Sequence, residues 1–385
     1  MTRFPYFSGM NKLEAKLKER ELAGNLRTLT QSEGLIDFFS NDYLGLAKSK
    51  ELFEAAEKEL KQHFLTTNLN GSTGSRLLSG NSNYAIELEN YLAGFFKAEK
   101  ALVFNSGYNA NLSILSSVPQ KDDTILYDEL IHASLKEGAR LSFAKRFSFK
   151  HNDLADLEKK IQKASGAVYI VVESVYSMDG DFCPLEELVE LAERHKAHLI
   201  LDEAHSTGLW GKQGNGLAFH KKLEDKIFAR IYTFGKAMGI HGACITGSKV
   251  LINYLINFAR PFIYTTSLPP HSLASIKAAF ELVKDADELR STIFRKINLF
   301  KAEFKKQFSN ISALIDSESP IQVIKISGNS KAKAVAQKLT VNGFDVRAIL
   351  SPTVKEGEER LRICLHVYNE DEQLVTLIKA LKEAL

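Results

Sequence analysis

The chain has 385 residues, 44% hydrophobic and 25% charged, the balance of a globular protein able to bury a core in two or three domains of ~150 residues. Its 50 Lys and Arg against 47 Asp and Glu leave a formal net charge of +3, which excludes a disordered chain and gives no basic excess for nucleic acid. Cys183, Cys244 and Cys364 lie far apart without Cys-x-x-Cys spacing, so neither a zinc site nor a disulfide framework is expected.

In chain order, Met1-Thr2-Arg3-Phe4-Pro5-Tyr6 has no apolar signal region, and the longest apolar runs, such as Ala167 to Val172, are strand-sized. No membrane span is expected, and the expected compartment is the reducing cytoplasm. Lys12 to Leu26 predicts an exposed, charged helix. A strand-like Ile36 to Phe39 leads into Asn41-Asp42-Tyr43-Leu44-Gly45-Leu46. Behind Ser49, an expected N-cap, Leu52, Ala55, Ala56 and Leu60 recur at helical spacing.

An amphipathic helix carrying Ile86, Leu88, Leu92 and Phe95 precedes the strand Ala101 to Phe104. A helix after Gly107 and the strand Thr124 to Tyr127 come next. The apolar strands Ala167 to Val172 and His198 to Leu201 flank a helix from Leu185 to Lys196. Near-continuous apolar strands alternating with helices between Tyr84 and Gly247 predict a mostly parallel sheet buried on both faces. Beyond Leu268-Pro269-Pro270, charged helices run to about Ser309. Strands at Ile321 to Ile326 and Leu361 to Val367 then alternate with helices at Lys331 to Leu339 and Asp371 to Leu385. The expected organisation is an N-terminal segment over 1–46, a large domain over 47–270 and a small α+β domain over 271–385.

Ligands of open α/β sheets sit at the carboxyl ends of strands, and five such ends here carry polar residues. Asn105-Ser106-Gly107-Tyr108-Asn109 reads as a phosphate-binding helix start or as an ordinary βα turn. Asp202, opening Asp202-Glu203-Ala204-His205-Ser206-Thr207-Gly208, needs a cation or a donated proton at a buried strand end, and a pyridinium N–H is one such partner; otherwise it caps the next turn. Lys236, within Thr233-Phe234-Gly235-Lys236-Ala237-Met238-Gly239, sits among small residues where crowding would lower its pKa and make the amine nucleophilic, unless it is simply solvated. Glu173 to Asp181, with Ser177, is a site wall or an Asp-Gly turn. His132, alone, is more often structural than catalytic. No GxSxG elbow, GxxxxGK[ST] loop or HExxH helix is present, Gly211, Gly214 and Gly216 are out of order for a dinucleotide fingerprint, and no metal site is expected.

Taken in register with Asn41 to Leu46, Gly71-Ser72-Thr73-Gly74-Ser75-Arg76-Leu77-Leu78-Ser79-Gly80, Tyr264-Thr265-Thr266-Ser267-Leu268-Pro269-Pro270 and Arg360-Leu361-Arg362, these stretches resemble the α-oxoamine synthase family. Its members are fold-type I enzymes that use pyridoxal 5′-phosphate (PLP), and the likeness covers nearly the whole chain. It implies an α/β fold-type I transferase: a large domain with a mostly parallel seven-stranded sheet, and a smaller C-terminal α+β domain. It further implies that Lys236 holds PLP and shuttles the α-proton, that Asp202 pairs with the ring nitrogen, and that His132 stacks over the ring with Ala204 beneath. His205 and Ser177 would bond the phenolic oxygen. Ser106, Gly107, Tyr108 and Thr233 would hold the phosphate, with Thr265 and Thr266 arriving from a second subunit of a homodimer. Arg362 would pair with the amino-acid carboxylate, a bidentate task, with Asn41 nearby.

The implied reaction is decarboxylative condensation of an amino acid, L-alanine, with an acyl-CoA, a pimeloyl thioester in the branch that shares this length and the Thr-Thr-Ser-Leu-Pro-Pro segment. Sister activities on glycine with acetyl-CoA, or on serine with a long acyl chain, use the same cofactor residues and stay open. A non-catalytic subunit of the same fold would be expected to lack Lys236. One departure stands out: many relatives read small-small-His after the arginine strand, where this chain has His366-Val367-Tyr368-Asn369. Asn369 reads as a helix N-cap with Glu372 three residues on.

Overall fold

Apolar runs of five or six residues, each needing cover on both faces, come together here as neighbouring strands under helices. The structure, a computed structural model, describes residues 10–64, 70–308 and 313–385; the first six residues and Ser309, named above, lie outside them. The strands in chain order are β1 (Ile36–Asp37), β2 (Lys100–Phe104), β3 (Thr124–Asp128), β4 (Lys145–Phe149), β5 (Val168–Glu173), β6 (His198–Asp202), β7 (Ala229–Thr233) and β8 (Ala243–Gly247). β2 to β8 form one sheet in the order β2-β8-β7-β6-β5-β3-β4. β8 runs antiparallel to both its neighbours and every other pairing is parallel, which is the mostly parallel seven-stranded sheet of the resemblance. Ile170, Val171, Val172, Ile200 and Leu201 at its centre are fully buried.

Two strands lack the apolar signature. β4 lies at the sheet edge with its first four residues exposed, so it has no second face to bury. β8, Ala243-Cys244-Ile245-Thr246-Gly247, is made mostly of small residues. Over the sheet the helices Gly107–Ser117 and Ala133–Leu141 pack on one another, as do Lys50–Phe64 and Pro270–Val283. The first helix, Met10–Leu22, is exposed as its charge predicts, and Ser49 Oγ caps the helix Lys50–Phe64 by accepting from Leu52 N at 3.1 Å.

Toward the C-terminus, β9 (Ile321–Lys325), β10 (Phe344–Asp345), β11 (Arg347–Ile349) and β12 (Arg360–Cys364) follow. β11, β12 and β9 make an antiparallel sheet in that order. β10 pairs with β1 in parallel, Ile36 opposite Phe344, so the start of the chain is stitched to its end. The last helix, Asp371–Ala384, is capped one residue later than the sequence suggests: Glu370 and Gln373 form the capping box. Asn369 is not free to cap, because its Nδ2 donates to Asp37 O at 2.9 Å and its Oδ1 accepts from His366 N at 2.9 Å.

Candidate active site

Thr233 ends β7, and Lys236 follows in a turn closed by Gly239, whose φ of +67° is a backbone shape that L side chains rarely adopt. A Cβ at Gly239 would lie 2.3 Å from Ala47 N, so the glycine lets this turn pack under the segment that follows Asn41. Lys236 is half-buried. Burial pushes its amine pKa down, with Asp202 and Glu173 pulling the other way.

The Lys236 amine opens a chain of hydrogen bonds. Its Nζ lies 2.6 Å from His205 Nε2, and His205 Nδ1 lies 2.7 Å from the Tyr43 hydroxyl. Tyr43 donates to Asn41 Oδ1 at 3.1 Å, which also accepts from Arg362 Nη2 at 2.9 Å. The direction of donation is fixed from the far end. Because Tyr43 gives its only proton to Asn41, its oxygen accepts from Nδ1–H, leaving Nε2 to accept from the lysine. Burial, with Lys236 next, holds the His205 pKa far below its usual value, so the ring is neutral as this pattern requires. Burial also pushes the Tyr43 phenol up.

Asp202 ends β6 beside Glu173, which ends β5 in register with it. The Asp202 carboxylate is buried; Oδ2 accepts from Asn111 Nδ2 and Oδ1 from Ala204 N, both at 2.9 Å. Neither partner is a cation. Asn111 Nδ2 also donates to Ser134 Oγ at 2.9 Å, and that hydroxyl lies 2.7 Å from His132 Nδ1. Asn111 and Ser134 thus tie the orientation of His132 to that of Asp202. His132 caps the helix Ala133–Leu141, and its pKa is lowered by burial first and by Lys236 second. Glu173 accepts from His132 N and, at 3.2 Å, from Ser177 N. Burial, then the neighbouring Asp202 charge, pushes the Glu173 carboxyl up.

Ser106 spends its hydroxyl as N-cap of the helix Gly107–Ser117, accepting from Asn109 N at 3.2 Å. The N–H groups of Gly107 and Tyr108 are orphan donors of that helix start, where an anion is favoured. A Cβ at Gly107 would lie 3.0 Å from Thr233 Oγ1, so the loop and the end of β7 are in contact. Asn105 Nδ2 donates to Thr266 O at 2.8 Å and reaches Thr265 Oγ1 at 3.4 Å, which sets both threonines beside their own chain's loop.

The buried Arg362 projects from β12 with every nitrogen engaged: Nε to Ser177 O at 2.7 Å, Nη1 to Cys364 Sγ at 2.9 Å and Nη2 to Asn41 Oδ1. One N–H on each terminal nitrogen is left for a carboxylate. The sequence pattern missed Asn111, Ser134, Tyr43 and Glu173 as site residues, although Tyr43 and Glu173 lie inside stretches quoted for their neighbours and Ser134 stands two residues after His132. Asn111 carries no local sign; only the packing of its helix over β6 brings it to Asp202. The departure after β12 resolves into structure. His366 is fully buried, with Nε2 2.9 Å from Ser40 O and Nδ1 3.0 Å from Asn369 Oδ1. The four residues hold the segment that carries Asn41.

A cavity of about 1050 Å³ opens beside His132 and Ser177, walled further out by Lys136, Lys355, Asp181 and Arg360. No helix among the described residues is long and apolar enough to cross a membrane.

The residues above fit PLP. A half-buried lysine of lowered pKa, a buried carboxylate with no ion pair among the described residues, and a glycine-containing helix start form one constellation at the carboxyl edge of the sheet. Residues 33–381 match the family described as aminotransferase class I and II. The chain is 40% identical to an 8-amino-7-oxononanoate synthase of Emericella nidulans, over 97% of this chain and 93% of the other. It superimposes on a serine palmitoyltransferase of S. paucimobilis with bound PLP and myriocin at a TM-score of 0.88 and 26% identity, covering 99% and 98% of the two chains. An 8-amino-7-oxononanoate synthase of Francisella tularensis gives a TM-score of 0.77 at 28% identity, over 91% and 98%.

Proposed function

The chain belongs to the aminotransferase class I and II family, and within it we propose that it is an 8-amino-7-oxononanoate synthase, condensing L-alanine with pimeloyl-CoA and releasing CoA and CO₂ in biotin biosynthesis. The observation that carries the reading is the hydrogen-bonded path from Lys236 through His205, Tyr43 and Asn41 to Arg362. It sets a proton-transferring amine and a carboxylate-binding guanidinium at the two ends of one amino-acid site.

Bound among these residues, PLP supplies an electron sink for the α-carbon of the amino acid. Asp202 accepts the ring N–H and so keeps that nitrogen protonated, while Asn111 and Ala204 N fix its carboxylate. Arg362 takes the α-carboxylate through its two remaining N–H bonds. Lys236 Nζ removes the α-proton and later returns one, a task for which its lowered pKa suits it. His205, neutral, holds the amine by accepting one of its protons. His132, fixed by Ser134, would cover a face of the bound ring and keep water from it.

Two finer readings accompany this one. The enzyme is a homodimer in which Thr265 and Thr266, held against Asn105 of their own chain, also reach the phosphate site of the second copy; the exposed Tyr108, Leu78 and Tyr264 give such an interface apolar surface next to those loops. Sedimentation should give twice the chain mass, and a fully active monomer would contradict the shared site. The enzyme works in the cytoplasm, in keeping with its three buried, unpaired cysteines.

The test of the activity is CoA release over a matrix of amino acids and acyl thioesters. Alanine with pimeloyl-CoA should give the highest kcat/KM. Preference for glycine with acetyl-CoA, or for serine with a long acyl chain, would move the enzyme to a sister activity.

A further inference from the structure

The cavity beside His132 carries charges of both signs, and most of its cations face carboxylates. Lys325 pairs with Glu358 at 2.7 Å, Lys355 with Glu129 at 3.0 Å, Arg360 with Asp179, and His151 with Asp181 at 2.7 Å. Two differ. Arg27 Nη2 reaches only the Thr353 hydroxyl at 3.5 Å, and Lys136 Nζ donates to the backbone carbonyl of Glu129 at 2.6 Å; among the described residues neither has a carboxylate within ion-pair distance. Of the two, Lys136 stands on the helix that His132 caps. Glu137, the acid next to it in sequence, faces Arg140 at 3.8 Å, and the Glu129 carboxylate is taken by Lys355.

Lys136 lies four residues after His132, one turn along the helix that His132 caps, about 6 Å on the axis at ~1.5 Å per residue. Helical side chains lean toward the N-terminus. The bond to Glu129, a residue preceding His132, shows the Lys136 chain folded back toward the start of this helix. Burial pushes the amine's pKa down, while Glu173, Asp128 and Glu129 pull it up and Lys355 pushes it down. Lys136 is exposed to the cavity, close to the reaction centre.

We infer that Lys136 binds the distal carboxylate of a dicarboxylic acyl thioester. The inference rests on the activity proposed above and names the group that selects its acyl donor. In a seven-carbon diacyl chain six C–C bonds of ~1.5 Å separate the two carboxyl carbons, about 7–8 Å when extended. That is enough to span the ~6 Å between His132 and Lys136 along the helix. The phosphates of CoA lie beyond the pantetheine arm, farther from the thioester. A carboxylate arriving at Lys136 gains a charge-assisted hydrogen bond from an amine that now has only a carbonyl.

The test uses the PLP-loaded enzyme with alanine and two thioesters of equal length, pimeloyl-CoA and heptanoyl-CoA. Lys136→Met should lower kcat/KM for pimeloyl-CoA roughly 10- to 100-fold, the usual worth of a hydrogen bond between charged groups, and leave heptanoyl-CoA within about twofold. Lys136→Arg should restore most of the loss. A parallel fall for both thioesters would assign the charge to the CoA phosphates or to the fold and overturn the inference, as would no change for either. Wild-type enzyme that ignores pimeloyl-CoA would instead bring down the proposed activity, and this inference with it.

Discussion

The floor of the cleft and the wall of its cavity are built by different means. The floor stands on the ends of β5, β6 and β7, where Glu173, Asp202 and Thr233 leave neighbouring parallel strands. Its hydrogen bonds run to backbone N–H groups and to short side chains such as Asn111 and Ser134. The wall is made of long, flexible side chains from several elements (Lys136, Lys325, Lys355, Arg360), held by ion pairs or a single carbonyl. The floor fixes atoms by the register of a buried sheet, so it suits chemistry that tolerates little displacement. The wall can change one side chain without moving a strand, so it suits the choice of acyl partner.

That contrast predicts that floor substitutions change the chemical step and wall substitutions change selection or stability. The largest effect belongs to Lys236→Ala, which removes the proton carrier. Turnover should fall on the order of 10⁴-fold or more with little change in thermal midpoint, and borohydride reduction, which should fix the cofactor at residue 236 in wild type, should no longer label it. A variant retaining activity would place the amine elsewhere. Asp202→Asn keeps the shape but weakens the hold on the ring proton. A loss on the order of 10²- to 10³-fold in kcat, the scale seen when one electrostatic partner is removed, is expected from steady-state rates.

Arg362→Lys lies between the two regions, since the guanidinium stands on β12 but is oriented by Ser177, Cys364 and Asn41. Exchanging a fork for a point charge should raise KM for the amino acid roughly 10- to 100-fold, with a smaller change in kcat. Should kcat carry the loss instead, the arginine acts in the chemical step and the division between floor and wall is too simple.

The smallest effect is on the wall. His151 lies between Asp128 and Asp181, whose hydrogen bonds outweigh burial and push its pKa up to about 9 from an ordinary 6.5. A raised folded pKa means that the protonated form is favoured in the native state. The stabilisation is therefore complete below about pH 6.5 and is lost as pH rises toward 9. Unfolding free energies of wild type and His151→Gln, from thermal melts, should differ most near pH 6, by about 1–2 kcal/mol, and converge near pH 9. A gap of constant size would show that the pair contributes packing rather than charge.

Much of the floor was legible because its residues sit in fixed order at strand ends: Asp202 after three apolar residues, Lys236 three after Thr233, Gly107 opening a helix. The strands themselves were visible where apolar residues run together, as in β2 and β5, and invisible where they do not, as in the small-residue β8 and in β4, which has only Phe149 inside. The supporting residues were not legible, since Asn111 and Ser134 gain their roles from helix packing and not from spacing. Asn369 misled for the same reason. A good cap residue by type, it is engaged by Asp37 and His366 from the other end of the chain.

The pairing of Arg362 with Asn41 joins residues 321 positions apart, and β1 waits for β10 in the same way. On a ribosome adding ~5–20 residues per second, Asn41 emerges roughly 15–60 s before the arginine that completes it. The sheet's parallel core can order itself during that interval, while the first strand stays without its match. Synthesis therefore delivers a floor before an amino-acid site, and a prematurely terminated chain carries the lysine and the aspartate with no guanidinium to bring a substrate to them.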